Sequence, residues 1–202
     1  MFRAKLPPMI IARLLTALAA TFALLAIGPA QAAPKLETAW FAGGCFWCLE
    51  KDMEKIPGVV DAVSGYAGGD LPNPTYENHE GHREAVKVTF DPSKISYRQL
   101  VDRFWPLVDV TDAGGQFCDR GFQYSTAVWV ATEAQRQAAE ASKAAAASRL
   151  KGRTIVTPIE RYSSFWAAEG YHQDYARKNP VRYSFYRQTC GRDARVKAVW
   201  GR

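Results

Sequence analysis

The 202-residue sequence predicts an α+β domain: a two-layer split β-α-β (ferredoxin-like) sheet with helices on one face and a long irregular C-terminal tail. Three observations carry this expectation. Apolar periodicity between residues 37 and 130 runs strand, helix, strand, strand, helix, strand. The hydrophobic content of 48% suffices for one core in a chain of this length. No internal repeat or low-complexity linker divides the chain.

The first 32 residues stand outside this domain. Arg3, Lys5 and Arg13 precede an apolar run at 14–27, and Ala30-Gln31-Ala32 supplies the small residues of a signal-peptidase site. Residues 1–32 therefore read as a cleaved signal peptide and 33–202 as the mature domain, exported to the periplasm. A membrane anchor is the competing reading, but the run is shorter than the roughly 20 residues a spanning helix needs, and Pro29 closes it.

Residues 37–42 read as a buried strand that runs into Gly43-Gly44. A helix follows over 45–56 until Pro57-Gly58 stops it, which sets Cys45 at a helix N-terminus. Residues 59–66 form a second strand and 84–90 alternate as a third, with a polar loop between them that contains Gly68-Gly69, Pro72 and Pro74. Ser96 caps a helix over 97–108, residues 109–121 form a Gly-rich loop, and 125–130 are the fourth strand. Thr132 opens an Ala-rich, solvated outer helix over 133–150 with Gly152 as its stop, and 155–161 read as another strand. From Phe165 onward the chain turns aromatic, basic and irregular.

The formal charge of +6 falls to +3 once the three bases of the leader are removed. That surplus is too mild to argue for nucleic acid, which asks for a clustered basic face on a strongly basic domain. Four cysteines, Cys45, Cys48, Cys118 and Cys190, form in an exported chain a candidate disulfide framework with three possible pairings. A domain of this size needs no staples, so reactive cysteines are the stronger reading. A zinc site would need two more ligands beside Cys45 and Cys48, and Cys118, Cys190, His79, His82 and His172 offer no second paired knuckle; no metal is expected. His79 reads as a surface residue, and His82 and His172 as structural or supporting groups.

Cys45 is a candidate nucleophile by position, because unpaired N–H groups and the dipole at a helix N-terminus favour the thiolate and lower its pKa. The spacing Cys45-Phe46-Trp47-Cys48 also fits a thioredoxin-type dithiol, yet two bulky aromatics between the thiols suggest a pocket for an apolar group.

The segment Gly44-Cys45-Phe46-Trp47 resembles the active-site motif of the A-type methionine-S-sulfoxide reductases, and further blocks follow in that family's order. They are Ser64-Gly65-Tyr66-Ala67-Gly68-Gly69, Pro74-Thr75-Tyr76-Glu77, Gly81-His82-Arg83-Glu84-Ala85-Val86, Asp119-Arg120-Gly121-Phe122-Gln123-Tyr124-Ser125, and Tyr171-His172-Gln173-Asp174-Tyr175 with Lys178-Asn179-Pro180. The resemblance covers nearly all of residues 33–202. It implies that Cys45 attacks the sulfoxide sulfur, releasing methionine and leaving a cysteine sulfenic acid. Glu84 matches the family's general acid, a role that requires a carboxyl kept protonated near neutral pH by its surroundings. Tyr76 and Tyr124 match the phenols that hydrogen-bond the sulfoxide oxygen, Phe46 and Trp47 the walls around the terminal methyl, and Asp119 an acidic position that helps bind the methionine backbone.

A second thiol must resolve the sulfenic acid. Many members of that family carry glycine where this chain has Cys48, and some keep two recycling cysteines in a glycine-rich tail; here Cys190 stands in the tail instead. Cys190 is the favoured resolving thiol, followed by Cys48, whose disulfide with Cys45 would be constrained on a regular helix, and then Cys118, whose family block suggests packing. The implied partners are oxidised proteins or free methionine sulfoxide and a thioredoxin-like external dithiol, with no cofactor, acting on a monomer. The alternative activity is general thiol-disulfide exchange. A peptide-binding domain locked by two structural disulfides is the non-enzymatic alternative.

Overall fold

β1 (Glu37–Gly43) lies inside a six-stranded sheet because both of its edges are paired: β3 (Arg83–Phe90) runs antiparallel on one side and β6 (Thr126–Val130) antiparallel on the other. β2 (Val59–Ala67) pairs antiparallel with β3, β8 (Phe165–Ala167) closes the edge beyond β2, and β7 (Ile159–Arg161) runs parallel to β6 at the opposite edge. The order is β7-β6-β1-β3-β2-β8. A separate hairpin joins β4 (Gly115–Gln116) to β5 (Asp119–Arg120). This computed structural model describes Met1 and residues 35–201; apart from Met1, the leader assigned to 1–32 lies outside the described residues. Among the described residues no helix is long and apolar enough to cross a membrane.

Period-two alternation sorts the sheet into two faces. Phe41 on β1, Val86, Val88 and Phe90 on β3, and Val128 and Val130 on β6 point to one side. There they meet α1 (Phe46–Glu54), α2 (Tyr97–Phe104), α3 (Glu133–Ser148) and α6 (Arg192–Trp200) through Leu49, Met53, Leu100, Phe104, Ala139 and Val199. The other face holds Ala42, Ala67, Ala85, Ala127 and Trp129, with Trp40, Tyr162 and Phe165 over them. Small residues on that face let the aromatic rings lie flat, as Trp40 does on Tyr162.

Local chemistry sets the helix ends. Ser96 and Gln99 form a reciprocal capping box on α2, and Thr132 caps α3 through Gln135 N–H. α2 ends earlier than the expected residue 108, because Pro106 lacks an N–H and the chain continues as a single 3-10 turn, Trp105–Leu107. The Ala-rich α3 is solvated on one side only. Ser142 is fully buried and accepts a 2.8 Å bond from the Trp105 indole, and Ala139 and Ala146 join the core.

The expectation of an irregular tail is corrected. After β8 the chain forms α4 (Tyr175–Lys178), α5 (Pro180–Thr189) and α6, so the C-terminal segment is largely helical. Pro180 at the first position of α5 and Gly191 with φ 65° between α5 and α6 are the local devices that set these helices. Burial of Arg192, which donates 3.0 Å bonds to the carbonyls of Gly43 and Leu107, ties this segment to the sheet end.

Candidate active site

The turn from β1 into α1 places Cys45. Gly44 has φ +76°, and a Cβ there would stand 2.5 Å from Cβ of Gln116, so only glycine lets the β4 loop approach the turn. Cys45 is the N-cap of α1, its carbonyl accepting from the N–H groups of Cys48 and Leu49, and its side chain is 6% exposed. The next N–H, of Phe46, donates 2.8 Å to Oε2 of Glu84. The helix terminus thus binds a carboxyl group from β3 directly beside the cysteine.

Glu84 shares the helix-covered face of β3 with Val86 and Val88 and is 2% exposed. Burial raises its pKa to about 8; the Phe46 N–H opposes the rise, and the charges of Asp119 and Cys48 add to it. The carboxyl is therefore protonated near neutral pH. Oε2 accepts the Phe46 N–H, which leaves the proton on Oε1, an atom with no hydrogen bond to another described residue.

Tyr76 and Tyr124 face the same centre: the charges of Glu84, Asp119 and Cys45 reach both phenols, and with burial they hold both above their ordinary range. Neither hydroxyl hydrogen-bonds another described residue. Tyr76 comes from the β2–β3 loop, where its N–H donates 2.8 Å to Glu169, and Tyr124 ends the 3-10 turn Phe122–Tyr124. Two phenol donors and one neutral carboxyl can converge on an oxygen atom bound in front of Cys45.

An aromatic wall closes the other side. Trp47 stacks on Tyr175 with ring centroids 3.7 Å apart, and Phe46 lies 5.0 Å from His172. The Trp47 indole N–H donates 3.0 Å to Nδ1 of His172, which fixes the proton on Nε2; burial lowers this histidine's pKa and keeps it neutral. Glu50, buried on α1, accepts from Ser64 and from the Asp174 N–H, pinning the segment that carries His172 and Tyr175.

The sequence-based expectation of a lowered Cys45 pKa is corrected. Burial raises this thiol, and neighbouring Cys48 and Glu84 raise it further, while a hydrogen bond from Tyr186 acts the other way. The pair's first proton leaves Cys48, whose pKa falls to about 7 because the Cys45 thiol donates to its sulfur and Arg192, Tyr183 and Arg187 stabilise the charge. Cys45 and Cys48 are both free, whereas Cys118 and Cys190 are joined in a disulfide that closes 72 residues. Cys118 is exposed rather than packed in the core.

The structure thus brings Cys45, Cys48, Glu84, Tyr76, Tyr124, Phe46, Trp47 and Asp119 into one centre, with the Cys118–Cys190 bond at its rim, where Cys118 and Cys190 Sγ and an Asp119 oxygen lie within 4.8 Å of one another. A metal there would need sulfurs that the disulfide has consumed. His82 is fully buried and supports the loop, its ring nitrogens bonded to Gly69 N–H and the Leu71 carbonyl; His79 is half-buried against Tyr66. Sequence reasoning missed Glu50, Glu169, Tyr175 and Tyr186 as members of the site. The block Tyr171-His172-Gln173-Asp174-Tyr175 signalled Tyr175, but Tyr186 carried no motif of its own.

Residues 37–202 match the sequence model of a family described as peptide methionine sulfoxide reductase. A peptide methionine sulfoxide reductase, MsrA 2, of Caulobacter vibrioides is 56% identical over 194 residues, covering 94% of this chain and 98% of that protein. MsrA of Bacillus subtilis is 46% identical and covers 83% of this chain and 97% of its own length. Among solved structures, methionine sulfoxide reductase A of Corynebacterium diphtheriae superposes with a TM-score of 0.64 at 32% identity, over 74% of this chain and 78% of that one. Reduced Mxr1 from Saccharomyces cerevisiae gives 0.66 at 29% identity, over 72% and 86%.

Proposed function

The chain belongs to the peptide methionine sulfoxide reductase family, and from that premise we propose that it reduces the S epimer of methionine sulfoxide, free or in oxidised proteins, through Cys45. The observation that carries this reading is the protonated Glu84 carboxyl held 2.8 Å from the Phe46 N–H, at the same helix terminus as the cysteine. A sulfoxide oxygen leaves poorly until protonated, and here the proton, two phenol donors and the nucleophile surround one small volume.

The Cys45 thiolate attacks sulfur while Glu84 Oε1 gives its proton to the oxygen, and Tyr76 and Tyr124 hydrogen-bond that oxygen as its charge grows. The attack forms a bond between the Cys45 and substrate sulfurs, and the protonated oxygen is released as the S–O bond breaks. The hydroxyl then adds to the Cys45 sulfur as the S–S bond breaks with its electron pair returning to the substrate sulfur, which leaves a sulfenic acid on Cys45 and releases methionine. Phe46 and Trp47 hold the S-methyl group against an aromatic surface. Sulfur is reduced by two electrons and Cys45 is oxidised by two, so no prosthetic group is required.

Cys48 is the resolving thiol in this proposal, ahead of Cys190, because Cys48 is free beside Cys45 and ionises readily, whereas Cys190 is committed to Cys118. Its thiolate displaces hydroxide from the sulfenic sulfur, which leaves as water and yields a Cys45–Cys48 disulfide. An external dithiol of the thioredoxin type then returns both thiols. All named groups come from one chain, in keeping with a monomer. The core order β6-β1-β3-β2 supports reading the centre of the sheet as a split β-α-β unit, and the leader-like residues 1–32 support a periplasmic site of action.

Chiral chromatography of racemic methionine sulfoxide with dithiothreitol, beside a Cys45→Ser variant, tests the reading. Loss of the S epimer alone, abolished in the variant, is expected. Equal loss of both epimers overturns the stereochemical assignment, and no loss of either, with active disulfide exchange, returns the thiol-disulfide alternative.

A further inference from the structure

The hairpin that carries Asp119 stands apart from the main sheet. β4 and β5 pair Gly115 with Arg120 and Gln116 with Asp119, so Phe117 and Cys118 form the turn. Phe117 sits there at φ 57°, a left-handed conformation that a bulky residue adopts only where its surroundings hold it. The C-terminal helices hold this end of the hairpin. Cys190, the C-cap of α5, is bonded to Cys118; the Tyr186 hydroxyl donates to Oδ2 of Asp119; and the guanidinium of buried Arg192 lies 4.6 Å from the centre of the Phe117 ring. Of these ties only the disulfide is covalent. The base of the hairpin is fixed separately, by Gln116 to the Asp109 backbone and by Arg120 to Asp112.

We propose that the Cys118–Cys190 disulfide is a redox-controlled latch that positions Asp119 to bind the backbone of the substrate. The inference rests on the reductase reading and on Asp119 as a substrate contact. Asp119 is half-buried and its charge reaches Glu84, Tyr76 and Tyr124, so a displaced turn changes what the substrate backbone meets beside the reacting oxygen. Opening the bond leaves the turn to one hydrogen bond and one cation–π contact, against the strain held at Phe117.

The bond is open to attack from outside. Cys118 is exposed and Cys190 partly buried, so a thiolate of an external dithiol reaches the Cys118 sulfur. Attack forms a mixed disulfide at Cys118 and expels the Cys190 thiolate, which takes a proton. The second thiolate of the reductant then attacks the reductant's own sulfur in that mixed disulfide, closing the reductant's disulfide and expelling the Cys118 thiolate, which is protonated in turn. The reductant loses two electrons and two protons, and the latch gains them. A partner of the same class in its disulfide form reverses the step, so substrate affinity follows the redox poise around the enzyme.

Single-turnover release of methionine across sulfoxide concentrations tests the latch. It is measured in wild type with the Cys118–Cys190 bond confirmed by peptide mapping, in Cys118→Ala/Cys190→Ala, and in each of these with Asp119→Asn added. Loss of the latch is expected to raise KM about tenfold at an unchanged saturating rate, the order of one hydrogen bond to a charged group. Asp119→Asn raises KM by a similar factor, and adding the two alanines to it raises KM no further, because the group that the latch positions is already gone. An unchanged KM in the double variant, or an equal further rise in the Asp119→Asn background, overturns the latch. Hydrogen exchange of the amides at 115–121 in wild type, before and after dithiol treatment, is the second readout and stands alone if the double variant does not fold. Faster exchange confined to this hairpin is expected, and unchanged exchange overturns the latch. Exchange needs no sulfoxide, so a wild type inert toward sulfoxide whose hairpin still loosens on reduction refutes the reductase reading and leaves the latch on Asp119 standing.

Discussion

Glu84→Gln separates the two consequences of a buried, protonated carboxyl. The glutamine is of the same size and can still accept the Phe46 N–H through its carbonyl oxygen, but it cannot ionise or deliver an acidic proton. In wild type the folded pKa, about 8, lies above the ordinary 4.5. Below 4.5 the group is protonated in both folded and unfolded chains; between 4.5 and 8 only the unfolded chain ionises. Stability is therefore present in full at low pH and lost as pH rises toward 8. At about 1.4 kcal/mol per pH unit, the gap corresponds to a loss on the order of 5 kcal/mol, and the glutamine variant escapes it. Urea unfolding of both proteins from about pH 5 to about pH 9 is the assay, because all other titrating groups largely cancel in the difference. The variant is expected to gain on wild type progressively up to about pH 8 and then hold its lead, while reductase turnover drops by about 10²–10⁴ with the lost general acid. Stability curves that run parallel at every pH would show that Glu84 is ionised at neutrality, and the acid role would fall with them.

The pH profile of single-turnover reduction should rise through about 7, as the dithiol loses its first proton, and fall through about 8, as Glu84 ionises; stopped-flow loss of sulfoxide in Glu84→Gln should lack the descending limb. Gly44→Ala forces a Cβ to within 2.5 Å of Gln116 at φ +76° and is expected to cost about 1–3 kcal/mol in denaturant unfolding and to depress turnover by shifting Cys45. Breaking the 72-residue loop with Cys190→Ser should lower unfolding free energy by about 2–4 kcal/mol, while turnover with dithiothreitol persists because Cys45 and Cys48 remain.

Much of this site is legible in sequence where a local rule governs it. Ser96 and Gln99 at capping-box spacing set the start of α2, and the alternation of Glu84 with Val86 and Val88 places its carboxyl on the buried face. Gly43-Gly44 before Cys45 fixes the cysteine at a helix terminus. The tail was less legible because α5 and α6 have weak amphipathic periodicity and no side-chain caps, although Pro180 marked a helix start. The Cys118–Cys190 pairing spans 72 residues, a separation on which spacing says nothing. The Cys45 pKa shifts opposite to the helix-terminus rule because a terminal dipole is a weak, partial charge, whereas sealed burial and a second thiol that takes the anion are stronger. Tyr186 reaches the site only through the packing of α5, so no motif announces it.

The central claim is that Cys45 takes the sulfoxide oxygen and Cys48 removes it. Mixing reduced-pair enzyme with methionine-S-sulfoxide in the absence of reductant, then mapping the peptide that spans both cysteines by mass spectrometry, tests it directly. Wild type should release one methionine per chain and yield a Cys45–Cys48 disulfide, and Cys48→Ser should trap one added oxygen on Cys45. Methionine release with both Cys45 and Cys48 still free, or with the new bond at Cys190, would contradict the account.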